Sequence, residues 1–340
     1  MRAARAPVRR ALGGLAGLIL TLFGLLLVTF LIGQATPIDP TLTLVGDRAN
    51  AETVQAARRA LGLDDPLPLR FATYLGRVLT GDLGTSTLTA RPVLSDLVRV
   101  FPATVELATA ATLIGLALGL PLGLAGAYWH GRWPDHLARL VGVLGHSVPV
   151  FWLGLMALLL FYARLDWAPG PGRIAFALEG TVPTITGLLL VDALLAGNGP
   201  ALQSALAQLV LPASVLGLFS VAQIARLTRA YLIEALGQDF VLAARARGLS
   251  ETRVLLFHAL AAVRGPLVVA LALVWGGLLE GSVLTETVFA WPGLGAYMTQ
   301  ALMSADPNAI LGGALLVGLV FVLVNAGADA LQRRLDPRTA

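Results

Sequence analysis

Long apolar runs alternate with short polar connections along this chain. A hydrocarbon core about 30 Å thick needs roughly 20 apolar residues in a helix. Six stretches reach that length: Ala11–Gly33 without a charge, Pro102–Trp129 with the single acid Glu106, Leu140–Ala163, Ala205–Ala225, Gly265–Val288 with Glu280 and Glu286 in its final part, and Pro307–Ala328. The spacing predicts six transmembrane helices, with Pro121, Pro149 and Pro212 kinking theirs. A further apolar stretch, Thr184–Ala196, ends in Gly197-Asn198-Gly199-Pro200 and is too short to cross. It is expected at the outer interface or as a re-entrant piece. The first run follows Arg2, Arg5, Arg9 and Arg10 as a signal peptide would. A secretory apolar region spans only about 7 to 15 residues, so a retained helix is expected.

The long connection Gln34–Val100 has its own pattern. Thr53–Leu61 reads as a short helix stopped at Gly62, and Phe71, Tyr74, Leu75, Val78 and Leu79 form an apolar stripe at helical spacing. That stripe is expected to lie on the membrane or on the bundle. Gly81-Asp82-Leu83-Gly84 breaks the pattern as a turn. A second short helix is expected from Pro92, with Val93, Leu94, Leu97 and Val98 on it.

Composition fixes the solvent. With 56% hydrophobic and 13% charged residues among 340, no soluble globular class fits. The net charge of +4 comes from arginine alone, since the chain has no lysine, and it has no cysteine either. Arginine beside apolar spans marks the cytoplasmic membrane face, so lipid, and not nucleic acid, is the partner it implies. Arginines open the chain, flank the second connection (Arg132, Arg139), crowd the fourth (Arg226, Arg229, Arg245, Arg247, Arg253, Arg264) and close the chain (Arg333, Arg334, Arg338). The fifth connection, Phe289–Asp306, has none and the third has only Arg164 and Arg173. Both termini are therefore expected in the cytoplasm. Without lysine there is no phosphate-binding G-x-x-x-x-G-K-[ST] loop, so ATP hydrolysis by that route is excluded. His130, His136, His146 and His258 have no i, i+4 pairing, which argues against a metal site. No Ser-His-Asp or paired-carboxylate arrangement stands out.

The fourth connection is ordered. Asp239 can cap a helix through Phe240, Val241, Leu242, Ala243 and Ala244, Gly248 can supply a left-handed stop, and Ser250 can cap the next helix. Arg245 and Arg247 suit the negative end of the first helix. A short helix of this kind, standing off the membrane, suits docking into a groove of a partner.

This stretch, "DFVLAARARGLS" followed by "HAL" and a proline eight residues after His258, resembles the EAA loop of binding-protein-dependent ABC importer permeases of the dipeptide/oligopeptide/nickel branch. Other blocks stand in the order of that branch: "GDLGTS" at Gly81–Ser86, "RPV" at Arg91–Val93, "FPATVELA" at Phe101–Ala108, "LPA" at Leu211–Ala213, "EGSVLTETVFAWPGLG" at Glu280–Gly295 and "LDPR" at Leu335–Arg338. Leu242 replaces the glutamate that names the loop, and Ala261-Ala262 replace the common Arg-Asn.

The resemblance implies an all-α membrane protein of the type I importer permease class, with a cytoplasmic coupling helix at Asp239–Arg247. Its ATPase-coupling residues would be Asp239, Ala243, Ala244, Arg245, Arg247 and Gly248. It further implies a second homologous permease, two ATPase subunits that hold ATP-Mg, an extracytoplasmic solute-binding protein, and no cofactor on this chain. The cargo would be di- or oligopeptides or a related small polar solute, and the chain would be a multi-pass protein of a prokaryotic inner membrane, not itself an enzyme. The organisation expected is a cytoplasmic N-terminus and first span (1–33), an extracytoplasmic segment (34–100), a core of five spans (101–332) containing the coupling loop 226–264, and a cytoplasmic tail (333–340).

Ionisable groups in spans are functional candidates because each costs about 2.5 to 3.5 kcal/mol at the bilayer centre. Glu106 and Glu280 are expected to line a path or to brace helices, with Gln223 and Asn325 as weaker candidates. Glu286 shares the fifth span, and Asp329 is expected at a wet end or paired with Arg333. The alternative, an ion-gradient-driven secondary transporter, predicts inverted repeats, and the sequence shows none.

Overall fold

In the computed structural model the described residues are 5–35, 41, 50–60 and 62–335. They are helical where the apolar runs lie. The helices are α1 Arg5–Ala35, α2 Ala51–Ala60, α3 Leu67–Leu79, α4 Val93–Tyr128, α5 Trp133–Ser147, α6 Val150–Arg164, α7 Leu189–Leu195, α8 Gly199–Leu236, α9 Asp239–Ala246, α10 Glu251–Val288, α11 Leu294–Met303 and α12 Pro307–Leu335. Five of them, α1, α4, α8, α10 and α12, are long and apolar enough to cross a membrane, and the bent pair α5–α6 makes a sixth candidate. The distal tail, including residues 336–338 of the "LDPR" block, and residue 61 fall outside the described set.

The kink expected at Pro149 is a full break: α5 and α6 meet at 94° across Val148-Pro149. Proline disfavours helical backbone at the residue before it, and Val148 is extended at φ −91°, ψ 123°. One expectation is corrected: the separate helix from Pro92 does not exist. Pro92 precedes the first residue of α4, which runs on into the second span and carries one π-helical turn over Gly115–Gly119.

The chain forms two compact units, residues 1–99 with 297–322, and residues 100–296 with 323–340. In the first, α3 lays its stripe on α1. Phe71 meets Phe23 and Phe30 at ring separations of 5.6 and 5.3 Å, and Tyr74 Oη and Thr29 Oγ1 hydrogen-bond at 3.0 Å. The "GDLGTS" block is tied to the start of α12: Ser86 donates to Asp306 at 2.6 Å, Leu88 N–H donates to the same carboxylate, and Asn308 donates to the Thr85 carbonyl at 3.0 Å.

In the second unit α8 is the central element. Its 38 residues span about 57 Å at 1.5 Å per residue, well beyond a hydrocarbon core of about 30 Å. The α4 helix packs on it through Gly115, Gly119 and Gly123, a four-residue repeat that brings the two backbones close. A Cβ on Gly119 would stand 2.7 Å from the Val221 carbonyl oxygen, and one on Gly123 2.7 Å from that of Ala225.

Candidate coupling element and translocation path

At its arginine-rich end α8 turns through Gly237-Gln238 into α9. Residues three apart share a helical face, and Val241 and Ala244 bury theirs against Val254 at the start of α10, with Leu236 and Leu249 around them. The opposite face carries Phe240, Leu242, Ala243 and Arg247, all exposed. The stop is a Schellman motif. Gly248 N–H donates to the Arg245 carbonyl at 2.9 Å, Leu249 N–H donates to that of Ala244 at 3.4 Å, and Leu249 packs back on Ala244. Gly248 has φ +77°, a region open to glycine at little cost. Arg245 makes two bonds to Glu251, at 2.7 and 3.0 Å, which splint the turn and raise the Arg245 pKa above its usual value.

Some sequence expectations change in detail. The cap position of α9 is Gln238, with Asp239 in the first helical turn, and neither Gln238 nor Ser250 makes a side-chain cap bond. Ala244 and Arg245 hold the turn together, while Asp239, Ala243 and Arg247 face outward with Phe240 and Leu242. Phe240 and Leu242 are as apolar as Val241, so the sequence does not mark them as the outward pair, and only the packing of Val241 and Ala244 on Val254 does.

At the other end of α8 lies a bonded polar cluster. Glu106 of α4 accepts two bonds from Arg173, at 2.7 and 2.9 Å, and one from Leu190 N–H at 2.8 Å. Arg173 also donates to the Gly187 carbonyl and lies 5.8 Å from the centre of the Trp291 ring. Asp192 of α7 holds the loop before it, accepting from the Ile185, Thr186 and Gly187 N–H groups and from the Thr186 hydroxyl. Burial pushes the Asp192 carboxyl up, but the bonds from Thr186, Ile185 and Gly187 together outweigh it and hold it below the usual range. A depressed carboxylate stabilises above its unfolded pKa of about 3.9 and loses that contribution as pH falls further. The protection factors of the amides of residues 185–187, measured against intrinsic exchange at each pH, are accordingly expected to be high at neutral pH and to fall below about pH 3.9. Arg173→Lys cannot keep the forked geometry and is expected to cost about 1 to 2 kcal/mol, read as a lower thermal midpoint.

The buried carboxylate of Glu286 organises "WPGLG". It accepts from Thr104 Oγ1 at 2.6 Å, Ser282 Oγ at 3.0 Å and Ala296 N–H at 3.0 Å. Thr104 in turn accepts from Leu294 N–H at 2.7 Å, and Trp291 donates to the Ala103 carbonyl at 2.8 Å. A Cβ on Gly293 would stand 2.5 Å from the Glu286 carboxyl carbon and one on Gly295 2.9 Å from its Oε2, so both glycines are needed for the approach.

With this geometry in view, comparison with known proteins is decisive. Residues 115–340 match the binding-protein-dependent transport system inner membrane component family, and residues 5–108 match its N-terminal part. The chain belongs to that family. It is 44% identical over 323 residues, 95% of this chain and 94% of the other, to the probable D,D-dipeptide transport system permease protein DdpB of Escherichia coli (strain K12). It is 38% identical over 322 residues, 94% and 95% of the two chains, to the di/tripeptide transport system permease protein DppB of Pseudomonas aeruginosa (strain UCBPP-PA14). An inward-facing structure of the MetNI methionine ABC transporter shares the fold, with a TM-score of 0.51 at 20% identity over 71% of this chain and 96% of that one. This permease is thus an all-α, multi-pass inner membrane protein of an ABC importer, and the ion-gradient alternative is set aside.

The permease's four path candidates separate by their bonding. Glu106 is bonded to Arg173 and to Leu190 N–H. Gln223 accepts from Arg226 at 2.7 Å on its own helix. Asn325 is half-buried on α12, and Glu280 is exposed on α10.

Proposed function

We propose that this permease carries di- or oligopeptides into the cytoplasm by alternating access, driven by ATP hydrolysis on two separate ATPase subunits that each dock a coupling helix. The observation that carries the coupling reading is the outward apolar face of α9, Phe240 and Leu242, on a helix fixed from behind by Val241, Ala244 and the Arg245–Glu251 pair. The peptide cargo is supported by the relatives, which are named for dipeptide and di/tripeptide transport.

In this reading α9 and both termini lie in the cytoplasm, in keeping with the arginine distribution. Residues 34–100 lie outside, next to an extracytoplasmic solute-binding protein, and a second homologous permease completes the path. ATP-Mg belongs to the ATPases, since this chain has no lysine for a phosphate loop. Nucleotide shifts the inward-open and outward-open populations only through its differential affinity for the two. Force applied at α9 reaches the spans through α8 and α10, between which it is rigidly clamped.

The test is reconstitution with the cognate ATPases and binding protein in proteoliposomes, recording ATP hydrolysis and uptake against a panel of peptides and other small polar solutes. Peptides are expected to stimulate both, and stimulation by non-peptide solutes alone overturns the cargo. Gly248→Val places a β-branched residue where φ is +77° at a cost of about 1 to 2 kcal/mol. A Cβ there meets nothing within 4 Å, so the penalty is conformational. Uptake per ATP hydrolysed is expected to fall about tenfold, with Gly248→Asn, which tolerates positive φ, keeping most of it. Unchanged coupling in the valine variant would remove α9 from the transmission.

A further inference from the structure

Glu280 differs from Glu106 and Glu286. Two further unbonded acids on spanning helices are placed otherwise: Asp329 has Arg333 one turn on, and Glu234 lies two residues from the end of α8. Glu106 and Glu286 each accept from three or more donors, whereas Glu280 is exposed and makes no hydrogen bond or ion pair among the described residues. It lies eight residues before the end of α10 at Val288, about 12 Å into the span at 1.5 Å per residue. The nearer of the two arginines of its own helix, Arg264, stands 16 residues away and donates to the Leu335 carbonyl, and Arg253 is farther still, so no arginine of this helix reaches it. Its immediate neighbours Leu278, Leu279 and Ser282 are buried.

The same face carries Gly277 and Gly281, at i−3 and i+1, and a Cβ on either would meet nothing within 4 Å. Leu284 and the hydroxyl-bearing Thr287 continue the exposed stripe toward the end of the helix. A carboxylate at this depth, with open space beside it and no donor bonded to it among the described residues, requires water or a cation from outside the chain. The cation common to di- and oligopeptides, whatever their side chains, is the α-ammonium group.

We infer that Glu280 is a cargo-binding residue of the path, accepting the α-ammonium of the passing peptide. The inference rests on the peptide-import reading. It accounts for an acid about 12 Å inside a span being left without a structural task, and a group common to all cargo is what a path serving many side chains can recognise.

The chain has no cysteine, so Glu280→Cys offers a single site for restoring or reversing charge in the complete reconstituted complex. Three thiol reagents are compared: sulfonatoethyl, trimethylammonioethyl and methyl methanethiosulfonate. Identically treated wild-type complex controls for cysteines on the other subunits. Peptide uptake by Glu280→Cys is expected to fall about tenfold, since a charge-assisted hydrogen bond is lost. The anionic reagent is expected to restore it to within about threefold of wild type, the neutral one to leave it low, and the cationic one to lower it further. ATP hydrolysis without cargo is expected to stay within about twofold of wild type throughout.

Lack of modification by the two charged reagents, or equal effects of all three, overturns the assignment. Loss of the assembled complex that the anionic reagent does not reverse also overturns it, because Glu280 would then serve the contact with the neighbouring permease. A wild-type complex that pumps a non-peptide solute but no peptide refutes the import reading itself. Peptide uptake indifferent to charge at position 280 refutes only this inference.

Discussion

Glu286→Ala is expected to destabilise the permease by about 3 to 5 kcal/mol, the largest effect of any single substitution around the "WPGLG" loop. At least three donors lose their acceptor at once, among them the hydroxyls of Thr104 and Ser282 and the Ala296 N–H. The hydroxyls can turn, but the amide cannot, and a buried unpaired donor costs about 1 to 3 kcal/mol. The truncation also leaves a cavity, because Glu286 is fully buried and Gly293 and Gly295 have no side chains with which to fill it.

Glu286→Gln separates hydrogen bonding from charge. With its amide oxygen toward Ala296 N–H and its NH2 toward the two hydroxyl oxygens, it can satisfy most of the same partners. It is expected to retain at least half of the lost stability. Thermal unfolding of the detergent-solubilised chain, followed by intrinsic tryptophan fluorescence, reads both variants. Trp291, which donates to Ala103 beside the site, should report local loosening first. An alanine variant as stable as the parent would show that Glu286 does not hold the "WPGLG" loop.

Gly119→Val is the second large effect, about 3 kcal/mol or more. A Cβ at Gly119 stands 2.7 Å from the Val221 carbonyl oxygen and 3.2 Å from the Ala225 nitrogen. These are backbone atoms of α8 and cannot move aside by changing rotamer, so α4 and α8 must separate. Gly24→Val is the matched control: it makes the same change within a helix, and its Cβ meets nothing within 4 Å. The expected outcome is a much lower thermal midpoint and loss of the monodisperse complex for Gly119→Val, with little change for Gly24→Val. Equal behaviour of the two would mean that the glycine repeat is not a packing seam.

The sequence carries Gly115-x-x-x-Gly119-x-x-x-Gly123 inside an apolar run, a pattern of close helix packing in membranes that the reading of the spans did not use. The pattern names no partner, however. Only the folded chain pairs those glycines with Val221, Ala225 and Thr228 of α8, about a hundred residues away. The same separation explains the fate of Glu106. Its depth marked it as functional, but its partner Arg173 comes from the third connection, and pattern within one span carries no information about which loop folds back on it.

Apolar length, arginine placement and turn chemistry are local, and the sequence by itself determined what depends on them: helices in membrane-spanning number, a helix that stops at Gly248, an ordered element between the fourth and fifth spans, and the ordered motif blocks that identify the family. Tertiary structure alone decided that the kink expected at Pro149 opens to 94°, that the Pro92 helix merges into α4, and which face of α9 is buried. It also decided that Glu106 and Glu286 are bonded while Glu280 is not. The physical reason is that lipid burial and backbone preference act residue by residue, whereas satisfying a buried charge requires donors brought from distant segments, and these meet only once the helices have packed.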